Sequence, residues 1–253
     1  IPTFNGEESV ELYEQYNFTE FDREAITAEI SKRMREVRDR YEAKPPVEKL
    51  VCPVVLDAPE LEQLVGNYIG SLNFSSVYQH SNAFSVGDDI QKDAQGDRLT
   101  LSMRGRIIGS VRSSAFDGDG VTLVDREIIK DGVATALWGG TRFAQYLGEA
   151  PTGNLGCISL ACGTLTDEEK EKAPYFRCAS MSGLQVDIYN DYIGGEVRLG
   201  YYFDGEREIP VTGISISGKL STAIANMRLS NEATTYEDYN GPKCAILNGI
   251  EIV

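Results

Sequence analysis

The strongest constraint on the fold is a series of β-rich runs between residues 183 and 217, interrupted by residues that favour turns. The interruptions are Asn190-Asp191, Gly194-Gly195 and Asp204-Gly205. Asn, Asp and Gly tolerate the backbone conformations of tight turns, and such short connections join antiparallel strands, whereas parallel strands need a long crossover. This part of the chain therefore predicts an antiparallel meander.

Two amphipathic helices are predicted in the first third of the chain. The first follows Asp22, and its apolar positions recur at steps of four and three, at Ile26, Ile30, Met34, Val37 and Tyr41. Pro45-Pro46 ends it, because proline cannot continue a helix. A short strand at residues 50–56 leads to a helix that Asp57 caps, with apolar residues at Leu61, Leu64, Val65, Tyr68, Ile69 and Leu72. Together these patterns predict an α+β fold with a largely antiparallel β-sheet core and flanking helices.

The composition excludes several classes of function. The 24 Lys and Arg residues against 39 Asp and Glu give a net charge of −15, which repels phosphate and argues against nucleic-acid binding. No apolar run reaches the roughly 18 to 20 residues of a membrane span, and no signal-peptide pattern opens the chain, so a cytoplasmic location is expected. The five cysteines form no Cys-x-x-Cys pair and are expected to be reduced thiols.

His80 is the single histidine, so a mechanism that needs two histidines of this chain is excluded. It lies with Tyr78 in a polar and aromatic stretch, and these two residues are the candidates for substrate binding. A lone imidazole can act as a general base because its pKa lies near neutrality. The simpler interpretation is a surface or hydrogen-bonded loop histidine, because no nucleophile stands at a supporting spacing. The acidic stretch at residues 88–97 is likewise typical of a solvated loop.

Several segments, taken in their order and spacing, resemble the C-terminal domain of the TldD/PmbA family, also called the modulator of DNA gyrase family. They lie at residues 53–57, 114–121, 128–132, 151–154 and 184–188, and the strands up to residue 217 are also similar. The resemblance covers about residues 50–253. It implies that residues 50–253 form the family's C-terminal domain. Residues 1–49 would then be the tail of an upstream domain, with a connecting amphipathic helix.

In the metal-containing branch of that family, a His-Glu-x-x-x-His helix and a distant Cys bind zinc, and the Glu acts as base on metal-bound water. The matching helix here reads Glu62-Gln63-Leu64-Val65-Gly66-Asn67. Glu62 and Asn67 therefore stand at the two histidine positions and Gln63 at the base position. Asn is a poor zinc ligand and Gln cannot act as a general base. Cys244 stands at the third-ligand position, so the resemblance implies a degenerate site without catalytic residues, metal or cofactor.

This pattern resembles the metal-free TldE/PmbA branch, whose members pair with a metal-bearing relative to form a cytoplasmic peptidase. The resemblance implies a non-catalytic subunit of a metallopeptidase complex that processes or degrades unfolded or leader-type peptides. The chain would be a homodimer or a heterodimer with a TldD-like relative. Two alternatives remain open: a hydrolase in its own right with a relocated site at His80 or at residues 88–97, and a binding or scaffold homodimer without catalysis.

Overall fold

A computed structural model describes residues 3–5, 8–10 and 13–253 of the chain. The helices in these ranges are α1 (Arg23–Glu42), α2 (Ala58–Ser71), α3 (Phe74–Tyr78), α4 (Thr141–Leu147), α5 (Asp167–Lys170) and α6 (Leu220–Ala225). The strands of the first half are β1 (Thr3–Asn5), β2 (Glu8–Val10), β3 (Val54–Asp57), β4 (Leu101–Arg104), β5 (Arg126–Lys130) and β6 (Val133–Ala134). Those of the second half are β7 (Cys157–Leu160), β8 (Tyr175–Met181), β9 (Gln185–Asp187), β10 (Tyr192–Phe203), β11 (Glu208–Val211), β12 (Ile214–Lys219), β13 (Arg228–Leu229), β14 (Ala233–Tyr236), β15 (Tyr239–Pro242), β16 (Cys244–Leu247) and β17 (Ile250–Ile252).

The strands form two large sheets and a separate β1–β2 hairpin. The nine-stranded sheet follows the order β13-β16-β3-β8-β10-β12-β17, with β9 and β11 also paired to β10. The six-stranded sheet follows the order β14-β15-β7-β4-β5-β6. Among the described strands, only the β3–β8 and β7–β15 pairs are parallel. The expectation of an α+β fold with a largely antiparallel core is therefore confirmed.

The predicted meander is present as β9 to β12, with one correction. Its strands are antiparallel and turn at Asn190-Asp191 and at Asp204-Gly205, as expected. Gly194-Gly195 is not a turn, because both residues lie inside the 12-residue strand β10. A Cβ at Gly194 would lie 2.6 Å from the Ile216 carbonyl oxygen, so glycine is needed here for close approach between neighbouring backbones.

The main core lies between the two sheets and is closed by α2. The predicted apolar stripe of α2, from Leu61 to Leu72, is buried throughout. It packs in one cluster with Val54 and Leu56 of the nine-stranded sheet and with Leu101 of the six-stranded sheet. The strand before α2 starts at Val54, later than the predicted residue 50. Because α2 is fixed on its apolar side, its polar side is held in one orientation.

α1 starts where the sequence predicts, since the Asp22 carboxylate accepts a hydrogen bond from the Ala25 backbone N–H at 2.9 Å. Its apolar stripe is not fully buried: Ile30 and Met34 are 42% and 48% exposed. The helix instead turns charged residues toward the sheet, where Glu36 is buried and Asp39 accepts a hydrogen bond from the Tyr201 hydroxyl at 2.7 Å. α1 is thus held to the sheet by polar contacts as well as by the buried side chain of Val37.

The assignment of residues 1–49 to an upstream domain stays a prediction, and part of that segment lies outside the described residues. In the described part of the chain, none of the helices has both the length and the apolar character needed to cross a bilayer.

Candidate functional site

The residues at the degenerate motif positions lie on the polar side of α2. Gln63 is exposed, and Glu62 and Asn67 are half-buried. This follows from the helical repeat, because the core-facing positions of α2 recur every three or four residues and the motif positions fall between them. Glu62, Gln63 and Asn67 therefore face the neighbouring loops and not the core.

Gln63 and Asn67 use their side-chain amides to bind the protein backbone. The Gln63 side-chain oxygen accepts a hydrogen bond from the Leu184 backbone N–H at 3.2 Å, which ties α2 to the segment before β9. The Asn67 side-chain nitrogen donates to the Gln63 backbone carbonyl at 3.1 Å, one turn earlier in the same helix. Both side chains therefore act as local structural groups.

Glu62 faces a second carboxyl group, that of Asp238. Burial, followed by the charge and hydrogen bond of Asp238 and the charge of Glu237, raises the pKa of Glu62 to about 7, while Arg112 opposes the shift. Two carboxyl groups in hydrogen-bond contact cannot both be ionised without strong repulsion, so Glu62 keeps its proton to a higher pH than an isolated carboxyl group does. Glu62, which the resemblance places at the family's first histidine position, is thus one half of a carboxyl pair.

Asp238 lies in the turn between β14 and β15, and the sequence analysis did not identify it. The neighbouring Glu237 has a φ of 51° and accepts hydrogen bonds from the Asn17 side chain at 2.8 and 2.6 Å. The backbone carbonyl of Asp238 accepts from the Ile158 N–H at 2.7 Å. Nothing in the local sequence links this turn to α2, because the contact with Glu62 depends on the packing of the six-stranded sheet.

Cys244 lies apart from the end of the motif. In the β3–β16 register it is the partner of Asp57, the residue that precedes α2. Asn67 lies ten residues further on, which is about 15 Å along a helix axis. Cys244 is 4% exposed and packs with Val55 and Tyr175, and burial raises the pKa of its thiol to about 11. It is therefore a protonated thiol near neutral pH. Its assignment to the family's third-ligand position stays a prediction.

These positions do not fit zinc. A zinc site needs imidazole, thiolate or carboxylate donors within about 2.0 to 2.3 Å of one point. Here the amides of Gln63 and Asn67 are bonded to backbone groups, and Cys244 is remote and protonated. Within residues 3–5, 8–10 and 13–253, no group of three or more His, Cys, Asp or Glu side chains is arranged to hold a metal ion.

Tyr78 and His80 lie at the end of α3, away from the carboxyl pair. Tyr78 is 45% exposed and packs against Phe143 and Tyr146 of α4, with ring centroids 5.6 and 5.0 Å apart. His80 has a φ of 55° and donates its backbone N–H to the Val77 carbonyl at 3.1 Å. In the described part of the chain its imidazole has no hydrogen bond or ion pair. A role of either residue in substrate binding stays a prediction.

The acidic stretch at residues 88–97 uses its carboxylates to hold loops. Asp89 accepts a hydrogen bond from the Arg98 guanidinium at 2.9 Å, and Asp97 accepts from the Leu229 N–H at 2.7 Å. The backbone N–H of Gln91 holds the pKa of Asp89 below its ordinary value. The sequence predicts a solvated loop here; in the structure its carboxylates also hold neighbouring segments together.

A cleft of about 520 Å³ opens at the start of α2, where Glu60 and Cys244 line it together with α1 and residues 14–16. Arg177 lies in its wall and is bonded to Asp57 and Glu208 at 3.0 and 3.3 Å. The Asp57 side chain makes no capping hydrogen bond to α2, contrary to the prediction, because the Arg177 guanidinium takes its carboxylate. Glu60 was also missed by the sequence analysis, since a charged residue in a first helical turn is ordinary.

Arg33 of α1 forms the opposite wall of the cleft. Its guanidinium lies 3.4, 3.0 and 2.7 Å from the carboxylates of Glu14, Glu29 and Glu36. Both arginines of the cleft thus have carboxylate partners, and Lys32, Lys170 and Lys243 also line it.

The fold and this site define an α+β domain of the metallopeptidase-related type, in which the polar side of the central helix carries one carboxyl group and two side-chain amides that are held by neighbouring residues. A family model described as the PmbA/TldA metallopeptidase C-terminal domain matches residues 49–252. The chain belongs to this family.

Two curated relatives match the chain over most of its length. Metalloprotease PmbA of Escherichia coli O157:H7 is 30% identical over 183 residues, which cover 70% of this chain and 40% of that protein. The Metalloprotease PmbA homolog of Haemophilus influenzae is 25% identical over 183 residues, covering 69% and 40%. The chain thus spans about 40% of the length of these relatives.

Solved structures support the fold. TldE from Thermococcus kodakarensis superposes with a TM-score of 0.74 at 14% identity, covering 90% of this chain and 55% of that one. A structure described as a modulator of DNA gyrase from Bacteroides thetaiotaomicron gives 0.70 at 18% identity, covering 88% and 51%. At these identities the likeness concerns the fold alone.

Proposed function

We propose that this chain is a PmbA/TldE-like, non-catalytic subunit of a cytoplasmic metallopeptidase complex that processes or degrades unfolded or leader-type peptides. Its partner would be a metal-bearing, TldD-like relative. The observation that supports this role is the state of the motif positions on α2. Gln63 and Asn67 are bonded to backbone groups, and Glu62 is paired with Asp238.

The physical reason is that hydrolysis by a zinc peptidase needs an activated water beside a general base. Gln63, at the base position, is an amide and takes up no proton near neutral pH. Glu62 has a pKa raised to about 7 by burial and by Asp238, and within the described residues it does not belong to a group of metal ligands. The motif side of α2 is therefore suited to forming part of a shared chamber wall, while the partner supplies the metal and the base.

The test combines metal content with reconstitution. The purified protein is analysed for zinc by mass spectrometry and incubated with reduced casein, alone and with a His-Glu-x-x-x-His relative co-expressed from the same cell. We expect less than about 0.1 zinc per chain and no cleavage from the protein alone, and cleavage once the relative is present. Replacing the Glu of the relative's motif should abolish cleavage, whereas Gln63→Ala in this chain should leave the zinc content of the complex unchanged.

One tightly bound zinc per chain together with cleavage of casein by this protein alone would refute the proposal. The two alternatives give different results. A hydrolase with a relocated site would show activity alone that His80→Ala removes. A scaffold homodimer would sediment as a dimer and give no cleavage with the relative.

A further inference from the structure

Residues 13–17, which we call the strap, form an extended segment between β2 and α1 that runs along two clefts beside α2. Glu14 and Gln15 line the cleft of about 520 Å³ and also a neighbouring one of about 610 Å³. Glu14 and Tyr16 are half-buried, whereas the strap residues on either side of each are exposed. Such a two-residue repeat is typical of an extended chain that turns one side toward the protein. The strap therefore borders both clefts with one side facing inward.

The strap is linked to the rest of the protein through side chains. The Glu14 carboxylate lies 3.4 Å from the Arg33 guanidinium of α1, which also faces the Tyr16 hydroxyl. The Asn17 side-chain nitrogen donates to the two carboxylate oxygens of Glu237, in the β14–β15 turn, at 2.8 and 2.6 Å. Within the described ranges, the backbone N–H and C=O groups of the strap form no hydrogen bond. The strap thus reaches from α1 to the turn that faces α2.

A segment held in this way opens at a small cost in free energy. Surface ion pairs contribute little because water competes for both charges, and a segment without backbone hydrogen bonds belongs to the least stable parts of a fold. Arg33 has two further carboxylate partners, Glu29 and Glu36, at 3.0 and 2.7 Å. The departure of Glu14 therefore does not leave the Arg33 charge unpaired, which would otherwise oppose opening.

The position of the strap affects both clefts at once. Pro59 and Glu60 of α2 and Ala179 of β8 also line both of them. Because the strap borders the same two spaces, a ligand that reaches these three residues has to pass beside it or displace it.

We propose that the strap is a gate for the two clefts: it narrows them in the position described here, and it admits a ligand when its contacts with Arg33 and Glu237 are released. The proposal concerns access and not the kind of ligand. It therefore goes beyond the proposed function and does not depend on a peptidase partner.

The test measures the reactivity of a thiol placed in the clefts. Ala179→Cys introduces that thiol, and its alkylation by iodoacetamide is followed by peptide mass spectrometry. Adding Glu14→Gln and Asn17→Ala removes the ion pair with Arg33 and the hydrogen bonds to Glu237. Because the alkylation rate follows the fraction of molecules with an open strap, the loss of contacts to charged groups predicts a rate increase of about 10-fold at position 179.

Glu20→Gln is the matched control, since this exposed residue beside the strap forms no ion pair or hydrogen bond within the described part of the chain. It should leave the rate at position 179 unchanged. The exposed Cys162 and the buried Cys178 serve as internal controls and should react as before.

An unchanged rate at position 179 after release of the strap would overturn the proposal. So would the same increase in Glu20→Gln, or an equal increase at Cys178, which would mean that the whole fold opens and not the strap. Because the experiment needs neither a partner nor cleavage, its failure is distinct from failure of the reconstitution experiment.

Discussion

Glu60→Gln measures the free energy that the buried carboxyl group costs the fold. Burial, followed by the charge of Asp57, raises the pKa of Glu60 from 4.5 to about 8. Gln has nearly the same size as a protonated Glu and carries no charge at any pH. The substitution therefore removes the titration while leaving the packing at the start of α2 in place.

The magnitude follows from the linkage between protonation and folding. The folded state keeps a proton on Glu60 that the unfolded state releases above pH 4.5. The stability that this proton contributes is fully present below pH 4.5 and is lost as the pH rises through about 8. Each pH unit in this window is equivalent to about 1.4 kcal/mol, so about 3 kcal/mol is lost by pH 7. The Gln variant does not suffer this loss.

Urea unfolding at pH 5.5, 7 and 8.5 checks this reasoning. We expect the free energy of unfolding of Glu60→Gln to exceed that of the wild type by about 1 kcal/mol at pH 5.5 and by about 3 kcal/mol at pH 7. The control Glu251→Gln, which changes an exposed carboxylate of β17, should match the wild type at each pH. A Gln variant that is no more stable than the wild type at pH 7, or a gain that does not grow with pH, would refute the argument.

Two further substitutions test other parts of the structure. Asp238→Asn removes the negative charge facing Glu62, so the pKa of Glu62 should fall from about 7 toward 4.5. A carbon-13 NMR titration of the labelled Glu62 carboxyl group measures this pKa. An unchanged pKa would contradict the pairing of Glu62 with Asp238. Gly200→Ala places a methyl group against the Phe176 ring and should destabilise the protein by about 1 to 3 kcal/mol in urea unfolding. In the matched change Gly66→Ala, the added methyl group enters open space on α2 and should stabilise the protein by about 1 kcal/mol. Equal changes in the free energy of unfolding for Gly200→Ala and Gly66→Ala would contradict the close contact between Gly200 and Phe176.

The sequence pattern predicted α2 correctly because the residues with helical spacing are the same residues that the fold buries. Apolar residues recur every three or four positions from Leu61 to Leu72, and they are buried between two sheets. The turns at Asn190-Asp191 and Asp204-Gly205 were also predictable from residue type. Gly194-Gly195 was misread as a turn because the sequence does not distinguish a glycine that permits a turn from one that permits two backbones to approach.

α1 shows where the same reasoning fails. Its period is correct, but Ile30 and Met34 are partly exposed while Glu36 is buried. Periodicity identifies an amphipathic helix; which side faces the sheet depends on partners elsewhere in the chain. Here those partners are polar, such as the Tyr201 hydroxyl that donates to Asp39, and lie more than 150 residues away in the sequence. No local pattern records such pairings.

The candidate site was only partly predictable for the same reason. Glu62 and Asn67 could be placed on one helix from the sequence, because the predicted helix fixes their spacing. Asp238 and Glu60 are identified only in the structure, through contacts between distant segments and through burial. Buried carboxyl groups without cationic partners reduce stability, and such exceptions concentrate at functional sites. In this chain the helix positions that the resemblance assigns to zinc hold residues that do not fit the metal, while an unpaired carboxyl group that lowers stability lies beside an open cleft.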